Sequence, residues 1–155
     1  MSRNLYPSGP PRFNHVAMSV PPDRLDGADR DDLIRFFDEV FGFEVLPTMT
    51  ADRHRLVFSC GHWDQFVFLI ADDDPMHGAR LDHYGLAVGT LDELVAARDR
   101  ARAFGEKDPR LDLIDVIVDD HVVVKIHSIY VGFLLPLMCE LQFWEFPATS
   151  PLTVS

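Results

Sequence analysis

The sequence predicts an α+β fold made of two copies of one unit, a strand followed by a helix and three further strands. Two strand-like segments, FNHVAMSV at 13–20 and LDHYGLAV at 81–88, carry a histidine at the same position. Each segment is followed by a helical pattern and then by three strand-like runs. Because a repeated order of elements indicates a repeated architecture, we expect one domain, residues 13–146, built from repeats 13–71 and 81–146.

The first repeat opens with the strand at 13–20, and a Pro- and Asp-rich segment that we expect to be a loop follows, PPDRLDGADRD. A helix is predicted over DDLIRFFDEVFGF, where Gly42 is a candidate stop. Four apolar residues of this helix recur at the spacing of one helical face: Leu33, Phe36, Phe37 and Val40. Three strand-like runs follow, at about 43–49, 54–60 and 65–71.

The second repeat follows the acidic turn DDDPMHGAR and opens with the strand at 81–88. A helix is predicted over TLDELVAARDRARAFG, because Thr90 and Glu93 have the spacing of a capping box and Gly105 is a candidate end. Three strand-like runs complete the repeat, at about 111–118, 121–131 and 137–145.

Composition excludes several functional classes. The 155 residues carry a net charge of −11, which argues against nucleic acid or an anionic membrane as a partner. The N-terminal segment has no apolar run of the signal-peptide kind, and only two cysteines occur, so we expect a cytoplasmic protein. Residues 1–12 are expected to be a flexible arm and residues 147–155 a tail.

The two repeated histidines lie on strand faces that otherwise carry small side chains. Because side chains alternate along a strand, His15 shares its face with Ala17 and Ser19, and His83 shares its face with two equally small residues. Small neighbours leave space beside an imidazole. A single strand histidine is more often structural, but two at the same point of a repeat favour a shared site in a cavity.

An acidic residue in the last strand-like run is suited to complete that site. Glu140 lies between Cys139 and Leu141 in LMCELQFWE, and a buried carboxylate is costly without a compensating positive charge. Two imidazoles and one carboxylate are typical ligands of non-haem Fe(II), and Zn, Mn, Co or Ni also accept them. Three protein ligands leave positions open, as in a catalytic metal site. The alternative is an edge-strand glutamate that faces water.

These segments resemble the vicinal oxygen chelate superfamily, which includes glyoxalase I, fosfomycin-resistance transferases, bleomycin-binding proteins, methylmalonyl-CoA epimerase and type I extradiol dioxygenases. The resemblance covers roughly residues 13–146 and depends on NHVAMSV, DHYGLAV and CELQF in that order. It implies two βαβββ modules forming a curled mixed sheet around a metal cavity, with His15, His83 and Glu140 as ligands. It also implies a small-molecule substrate with adjacent oxygens, and a homodimer.

Within that superfamily, the C-terminal half is most similar to the extradiol dioxygenases, where a histidine and a tyrosine precede the metal glutamate. The segment HVVVKIHSIYVGFLLPLMCE has His121, Tyr130 and Glu140 at compatible spacing. By this resemblance Tyr130 would hydrogen-bond a metal-bound catecholate oxygen, and His121 or His127 would line the pocket. Phe68 lies near the position of a further acidic ligand in glyoxalase I, which argues against that activity.

Several functions remain open from the sequence alone. The leading expectation is a metal-dependent enzyme, most like a single-domain extradiol-type dioxygenase with Fe(II). A glyoxalase- or epimerase-type isomerase or lyase on the same metal is the first alternative, and only His121, His127 or Tyr130 would be available as its base. The others are a metal-free, resistance-type binding protein and an interaction module whose GFLLPLM segment forms a dimer surface. The ligands could come from one chain or from two.

Overall fold

The computed structural model describes residues 9–50 and 52–147, which form two four-stranded mixed sheets with helices packed against them. The α+β class and the double strand–helix–three-strand order predicted from the sequence are confirmed. The arm and tail predicted at the two termini lie largely outside the described residues, so that prediction stands as made.

The elements of the first module are β1 (His15–Val20), α1 (Pro22–Asp26), α2 (Ala28–Phe36), β2 (Glu44–Val45), β3 (Arg55–Ser59) and β4 (Phe66–Ala71). Its sheet has the strand order β1-β4-β3-β2, with β1 parallel to β4 and the other pairs antiparallel. A π-helical turn at Phe37–Phe41 extends α2, and a 3₁₀ turn at Pro47–Met49 follows β2.

The elements of the second module are β5 (His83–Ala87), α3 (Leu91–Lys107), β6 (Asp112–Asp120), β7 (Lys125–Gly132) and β8 (Met138–Glu145). Its sheet repeats the arrangement of the first, with the strand order β5-β8-β7-β6 and β5 parallel to β8. A register shift between Ile114 and Ile117 of β6 interrupts its pairing with β7.

Helix α3 begins with the predicted capping box. Thr90 Oγ1 accepts a hydrogen bond from the Glu93 amide at 3.1 Å, and Glu93 Oε2 accepts one from the Thr90 amide at 3.0 Å. The prediction that Gly105 ends this helix is wrong, because the helix continues to Lys107. Gly105 instead allows close packing, since a Cβ there would lie 3.1 Å from Leu111 Cδ2.

The prediction that PPDRLDGADRD is a loop is also wrong. This segment forms α1 and the start of α2, with Pro22 in the first turn, where its missing N–H costs nothing. Leu25 of α1 is fully buried, so tertiary packing stabilises this short helix. The polar residues of the segment gave no indication of a helix. Gly42 has a φ of 71° and ends the π-helical turn in the left-handed conformation, as predicted.

The two modules are joined by a cluster of phenylalanine rings. Phe36 of α2 lies 5.7 Å from Phe104 of α3 and 5.0 Å from Phe133, which follows β7, measured between ring centroids. Phe104 and Phe133 are themselves 5.1 Å apart, in an edge-to-face arrangement. All three rings are almost completely buried, so the two modules share one core.

An ion-pair cluster at the edge of this core also links the modules. Asp108, just after α3, accepts hydrogen bonds from Arg110 at 2.6 Å and from Arg35 of α2 at 3.4 Å. Arg110 also pairs with Asp32 and Asp29 of α2. The hydrogen bond from Arg110 holds the pKa of Asp108 at about 2, below the ordinary value of 3.8.

We therefore expect the stabilising effect of Asp108 to depend on pH. Because its folded pKa is depressed, the carboxylate contributes fully above about pH 4, and that contribution is lost as the pH falls toward 2. The free energies of unfolding of wild type and Asp108→Asn, measured by urea titration from pH 6 to pH 2, should converge at low pH. A difference independent of pH would contradict the ionic role. Arg110→Met, which removes the main partner, should show the same convergence.

Candidate metal centre

Glu140 lies in β8, in the interior of the second sheet, with a neighbouring strand on each side. Its Cα partners are Gly85 of β5 and Tyr130 of β7. Only 5% of the residue is exposed to solvent. The prediction that Glu140 is a buried strand carboxylate is thus confirmed by its position, and the alternative of a water-facing edge residue does not apply.

His83 contacts Glu140 directly, with its Nε2 atom 3.3 Å from Glu140 Oε2. The other ring nitrogen, Nδ1, lies 2.8 Å from the carbonyl oxygen of Leu81. Since a carbonyl oxygen can only accept, Nδ1 carries the proton and donates it. In the neutral imidazole, Nε2 therefore presents a lone pair to the carboxylate.

This contact places two electron-rich atoms against each other and is favourable only with a positive charge present. A second proton on His83 would supply that charge, and so would a divalent cation bound by both atoms. Ligand atoms about 2.0–2.2 Å from one cation lie roughly 3.0–3.5 Å apart, which matches the observed 3.3 Å. The donor set and its spacing therefore fit a divalent cation.

Hydrogen bonds keep Glu140 ionised despite its burial. Burial raises the pKa of Glu140, but hydrogen bonding from Gln142, Tyr130 and Ser128, together with the nearby His83, lowers it below the ordinary value of 4.5. Gln142 is itself oriented by the Trp144 indole, whose Nε1 donates to Gln142 Oε1 at 2.8 Å. An ionised carboxylate at this position is the form that binds a cation.

Ser128 contributes less to the carboxylate than its position first indicates. Its hydroxyl oxygen is buried and makes no hydrogen bond of normal length, although it lies close enough to help lower the pKa of Glu140. The Ser128 hydroxyl therefore does not fix the position of the carboxylate, because hydrogen bonds weaken steeply with distance. A buried hydroxyl without a partner is suited to contact a bound ligand.

Tyr130 completes the second module's share of the site. Its ring packs edge-on against His83, with the centroids 5.1 Å apart and the planes at 83°. Burial and the interaction with Glu140 raise the pKa of Tyr130 to about 12. The phenol therefore stays protonated at neutral pH and acts as a hydrogen-bond donor.

His15 does not join His83 and Glu140 within one chain. It lies on β1 in the other sheet, where its ring stacks on Phe66 at 4.9 Å and its Nδ1 hydrogen-bonds Asn14 Oδ1 at 2.7 Å. In the part of the chain that the structure describes, no three histidine, cysteine or acidic side chains are positioned to hold one metal ion.

His15 and Gly85, the strand partner of Glu140, nevertheless line the same cavity. This space of about 540 Å³ lies between β1 and β5, which are the edge strands of their sheets. His15 is on one wall, and Gly85 is on the other. Because Gly85 has no side chain, the Glu140 carboxylate lies close behind it, 3.5 Å from where a Cβ would be.

The other two candidate histidines lie away from this site. His127 is on the opposite face of β7 from Tyr130, because it lies three positions earlier along the strand, and its Nε2 pairs with Glu145 at 2.8 Å. His121 is exposed in the turn between β6 and β7. That turn, at 121–124, delays the start of β7 relative to the predicted strand.

The sequence analysis missed Gln142 and Ser128 as members of the site, and it gave Gly85 as a small neighbour of His83 without pairing it with Glu140. Gln142 shares the face of Glu140 because it is two residues further along β8, so strand alternation alone could have indicated it. Ser128 shares the face of Tyr130 for the same reason. The position of Gly85 opposite Glu140 depends on pairing between strands distant in sequence, which the sequence pattern does not give.

Comparison with known proteins identifies the fold. No protein-family profile matches the sequence, and no curated protein matches it significantly. A glyoxalase-family protein from Bacillus anthracis superposes with a TM-score of 0.59 at 21% identity, covering 91% of this chain and 98% of that one. The fosfomycin resistance protein FosX from Listeria monocytogenes superposes with a TM-score of 0.59 at 13% identity, covering 86% and 93%.

This chain has the vicinal oxygen chelate fold. Lactoylglutathione lyase from Agrobacterium tumefaciens superposes with a TM-score of 0.57 at 18% identity, covering 87% of this chain and 95% of that one. These superpositions confirm the fold that was predicted from the segments NHVAMSV, DHYGLAV and CELQF. A variant of FosX from Listeria monocytogenes, which superposes with a TM-score of 0.56 at 13% identity, was crystallised with Mn(II) and 1S,2S-dihydroxypropylphosphonic acid.

The vicinal oxygen chelate fold accounts for the open geometry of the two sheets. Neither sheet closes on itself, and each has its histidine at the start of its first strand. None of the helices in the described part of the chain has both the length and the apolar character needed to span a bilayer.

Proposed function

We propose that this chain is a metal-dependent enzyme of the vicinal oxygen chelate type, acting on a small molecule with two adjacent oxygens. The observation that carries the proposal is the lone pair of His83 Nε2, held 3.3 Å from the buried carboxylate of Glu140. These two side chains and His15 would hold the cation. When bound, the cation supplies positive charge that stabilises negative charge developing on the two substrate oxygens.

The remaining side chains of the site would orient the substrate. Tyr130 is protonated and would donate a hydrogen bond to a substrate oxygen, and the buried Ser128 hydroxyl would contact a second polar atom. Gln142 lies on the same face of β8 as Glu140 and helps to lower the pKa of its carboxyl group. The adjoining cavity of about 540 Å³ has room for a compact organic molecule.

Ring cleavage of the extradiol dioxygenase type, with Fe(II), is our leading proposal for the reaction. It is supported by Tyr130, which lies beside both proposed ligands and presents a phenol that can donate to a catecholate oxygen. Isomerisation or lyase chemistry is the second candidate. It is supported by the likeness to FosX and lactoylglutathione lyase. Binding without a metal is the outcome if purified protein takes up no divalent cation.

We further propose that a second copy of the chain supplies the third ligand. Within one chain His15 lies apart from His83 and Glu140. As in His83, the Nδ1 atom of His15 makes a hydrogen bond, which leaves Nε2 as the atom that would bind a cation. A homodimer that places His15 of one copy against His83 and Glu140 of the other would complete the ligand set of two imidazoles and one carboxylate.

Mixing two inactive variants tests this arrangement. His15→Ala and Glu140→Gln each remove one ligand, so we expect neither pure variant to bind Mn(II) tightly. If two copies share the site, a 1:1 mixture refolded together should recover about a quarter of the wild-type sites, because half the dimers are mixed and each has one intact site. Mn(II) binding followed by electron paramagnetic resonance gives the count. No recovery would show that both ligands come from one chain.

A further inference from the structure

The turn between β3 and β4 holds an imidazole oriented by a buried carboxylate. His62 Nδ1 hydrogen-bonds Asp64 Oδ1, and the His62 side chain is 59% exposed while that of Asp64 is 6% exposed. An ionised carboxylate only accepts hydrogen bonds, so the proton of the neutral imidazole lies on Nδ1. The Nε2 atom of His62 therefore presents its lone pair away from Asp64.

Asp64 is held in this role by a second partner. Its other oxygen, Oδ2, accepts a hydrogen bond from Arg12 at 2.9 Å. Burial raises the pKa of Asp64, but the hydrogen bond from His62 and the charge of Arg12 leave it below the ordinary value of 3.8. The carboxylate thus stays ionised and keeps the imidazole in one tautomer.

The pair lies at the end of the large cavity. A smaller pocket, lined by Arg12, Phe13, His62, Asp64 and Gln65, shares Phe13 and Gln65 with that cavity. The same end of the first sheet carries His15, because the amide of Phe66 donates to the carbonyl of Asn14 at 3.2 Å. The turn that carries His62 therefore adjoins the cavity that His15 lines.

The site around Glu140 does not itself supply a base. Glu140 is committed to the cation, and Tyr130 packs against His83 as a proposed hydrogen-bond donor to the substrate. His127 lies on the opposite face of β7 and is paired with Glu145. The isomerase or lyase form of the proposed function needs a proton acceptor from another part of the chain.

We infer that His62 is the proton-transferring residue for substrates held in this cavity and that Asp64 is its positioning residue. This inference rests on the proposed function. The substrates concerned are small α-hydroxycarbonyl compounds, which have two adjacent oxygens and an acidic C–H bond.

The proton transfer balances without any further reactant. His62 Nε2 accepts the proton from the carbon that bears the hydroxyl group, and the C–H electron pair forms the carbon–carbon double bond of an enediolate. The carbonyl π pair moves onto its oxygen. Return of the proton from Nε2 to the same carbon gives the epimer or the original compound. Its return to the neighbouring carbon gives the isomer, because the hydroxyl proton passes to the former carbonyl oxygen while the hydroxyl-bearing carbon becomes the carbonyl.

The tautomer of His62 can be measured on the metal-free protein. Nitrogen-15 chemical shifts of the imidazoles should show His62 protonated at Nδ1 in wild type, and Asp64→Ala should lose that preference. The exposed His54, which precedes β3, is the internal control and should be unchanged between the two proteins. A wild-type His62 that is protonated at Nε2 would overturn the inference, because Nε2 would have no lone pair to accept a proton.

Proton exchange tests the chemistry. Zinc-loaded wild type in D₂O should exchange the methylene protons of hydroxyacetone, followed by proton NMR, and His62→Gln should slow that exchange by about 10²- to 10⁴-fold. His54→Gln, the matched control, should exchange at the wild-type rate. Wild-type exchange no faster than with zinc alone, or an undiminished rate in His62→Gln, would overturn the role of His62.

Zinc binding measured in the same samples separates the two proposals. If wild type and His62→Gln both bind zinc while the exchange result is negative, the proposed metal site stands and only the role of His62 fails. If wild type binds no zinc, the proposed function fails, and the inference that rests on it fails with it.

Discussion

Replacing Glu140 by glutamine is expected to weaken the binding of Mn(II) or Zn(II) by more than about 100-fold. Loss of a partner that only supports a metal ligand typically costs 10- to 100-fold in affinity, and Glu140 is proposed as a ligand itself. The neutral amide would also leave the lone pair of His83 Nε2 without the carboxylate that shares the cation with it. Isothermal titration calorimetry measures the change directly.

Glu145→Gln is the matched control for this experiment. Glu145 lies on the same strand as Glu140 but on the opposite face, where it pairs with His127. Its replacement removes the same charge from the chain while leaving the proposed site intact, so cation affinity should stay within a few-fold of wild type. Equal affinities of Glu140→Gln and wild type would mean that the second sheet holds no cation.

Replacing Phe36 by alanine is expected to lower the free energy of unfolding by about 3–5 kcal/mol. The Phe36 ring is 2% exposed and contacts Phe104 and Phe133 of the other module, so its loss leaves a cavity where the two modules meet. In a domain of this size, the loss corresponds to a fall in Tm of roughly 10 °C or more. Urea titration and thermal unfolding followed by circular dichroism measure both quantities.

Phe13→Ala is the corresponding surface control. Phe13 is 76% exposed, so removing its ring should change the free energy of unfolding by less than about 0.5 kcal/mol. The comparison separates loss of packing from loss of an aromatic side chain in general. A Phe36→Ala protein as stable as wild type would mean that the modules do not depend on this shared core.

The fold could be predicted from the sequence because its determinants are local and occur twice. Strand alternation around His15 and His83 gave both opening strands, and the spacing of Thr90 and Glu93 gave the start of α3. The errors came where a long-range contact decides the outcome. Helix α3 continues past Gly105, where the absence of a side chain allows Leu111 to pack closely. No local sequence pattern indicates that contact.

The sequence predicts which strand face each residue of the candidate site lies on. It does not predict the distances between these residues. Alternation places His83, Tyr130 and Glu140 on faces that can meet, and the structure brings these three together. The same rule puts His127 on the opposite face from Tyr130, since the two residues are three positions apart. How far His15 lies from the other ligands depends on the packing of one sheet against the other, which the sequence does not encode locally.

The two sheets carry different residues at the paired positions that lie two residues after each histidine. Gly85 faces Glu140 in the second sheet, whereas Ala17 faces Phe68 in the first, although each sheet keeps its histidine two residues earlier on the same strand. A substrate bound between these two positions would contact the phenyl ring of Phe68 on one side and the carboxylate of Glu140 on the other. An amphipathic substrate would then bind in a single orientation, which would restrict the reaction to its polar end.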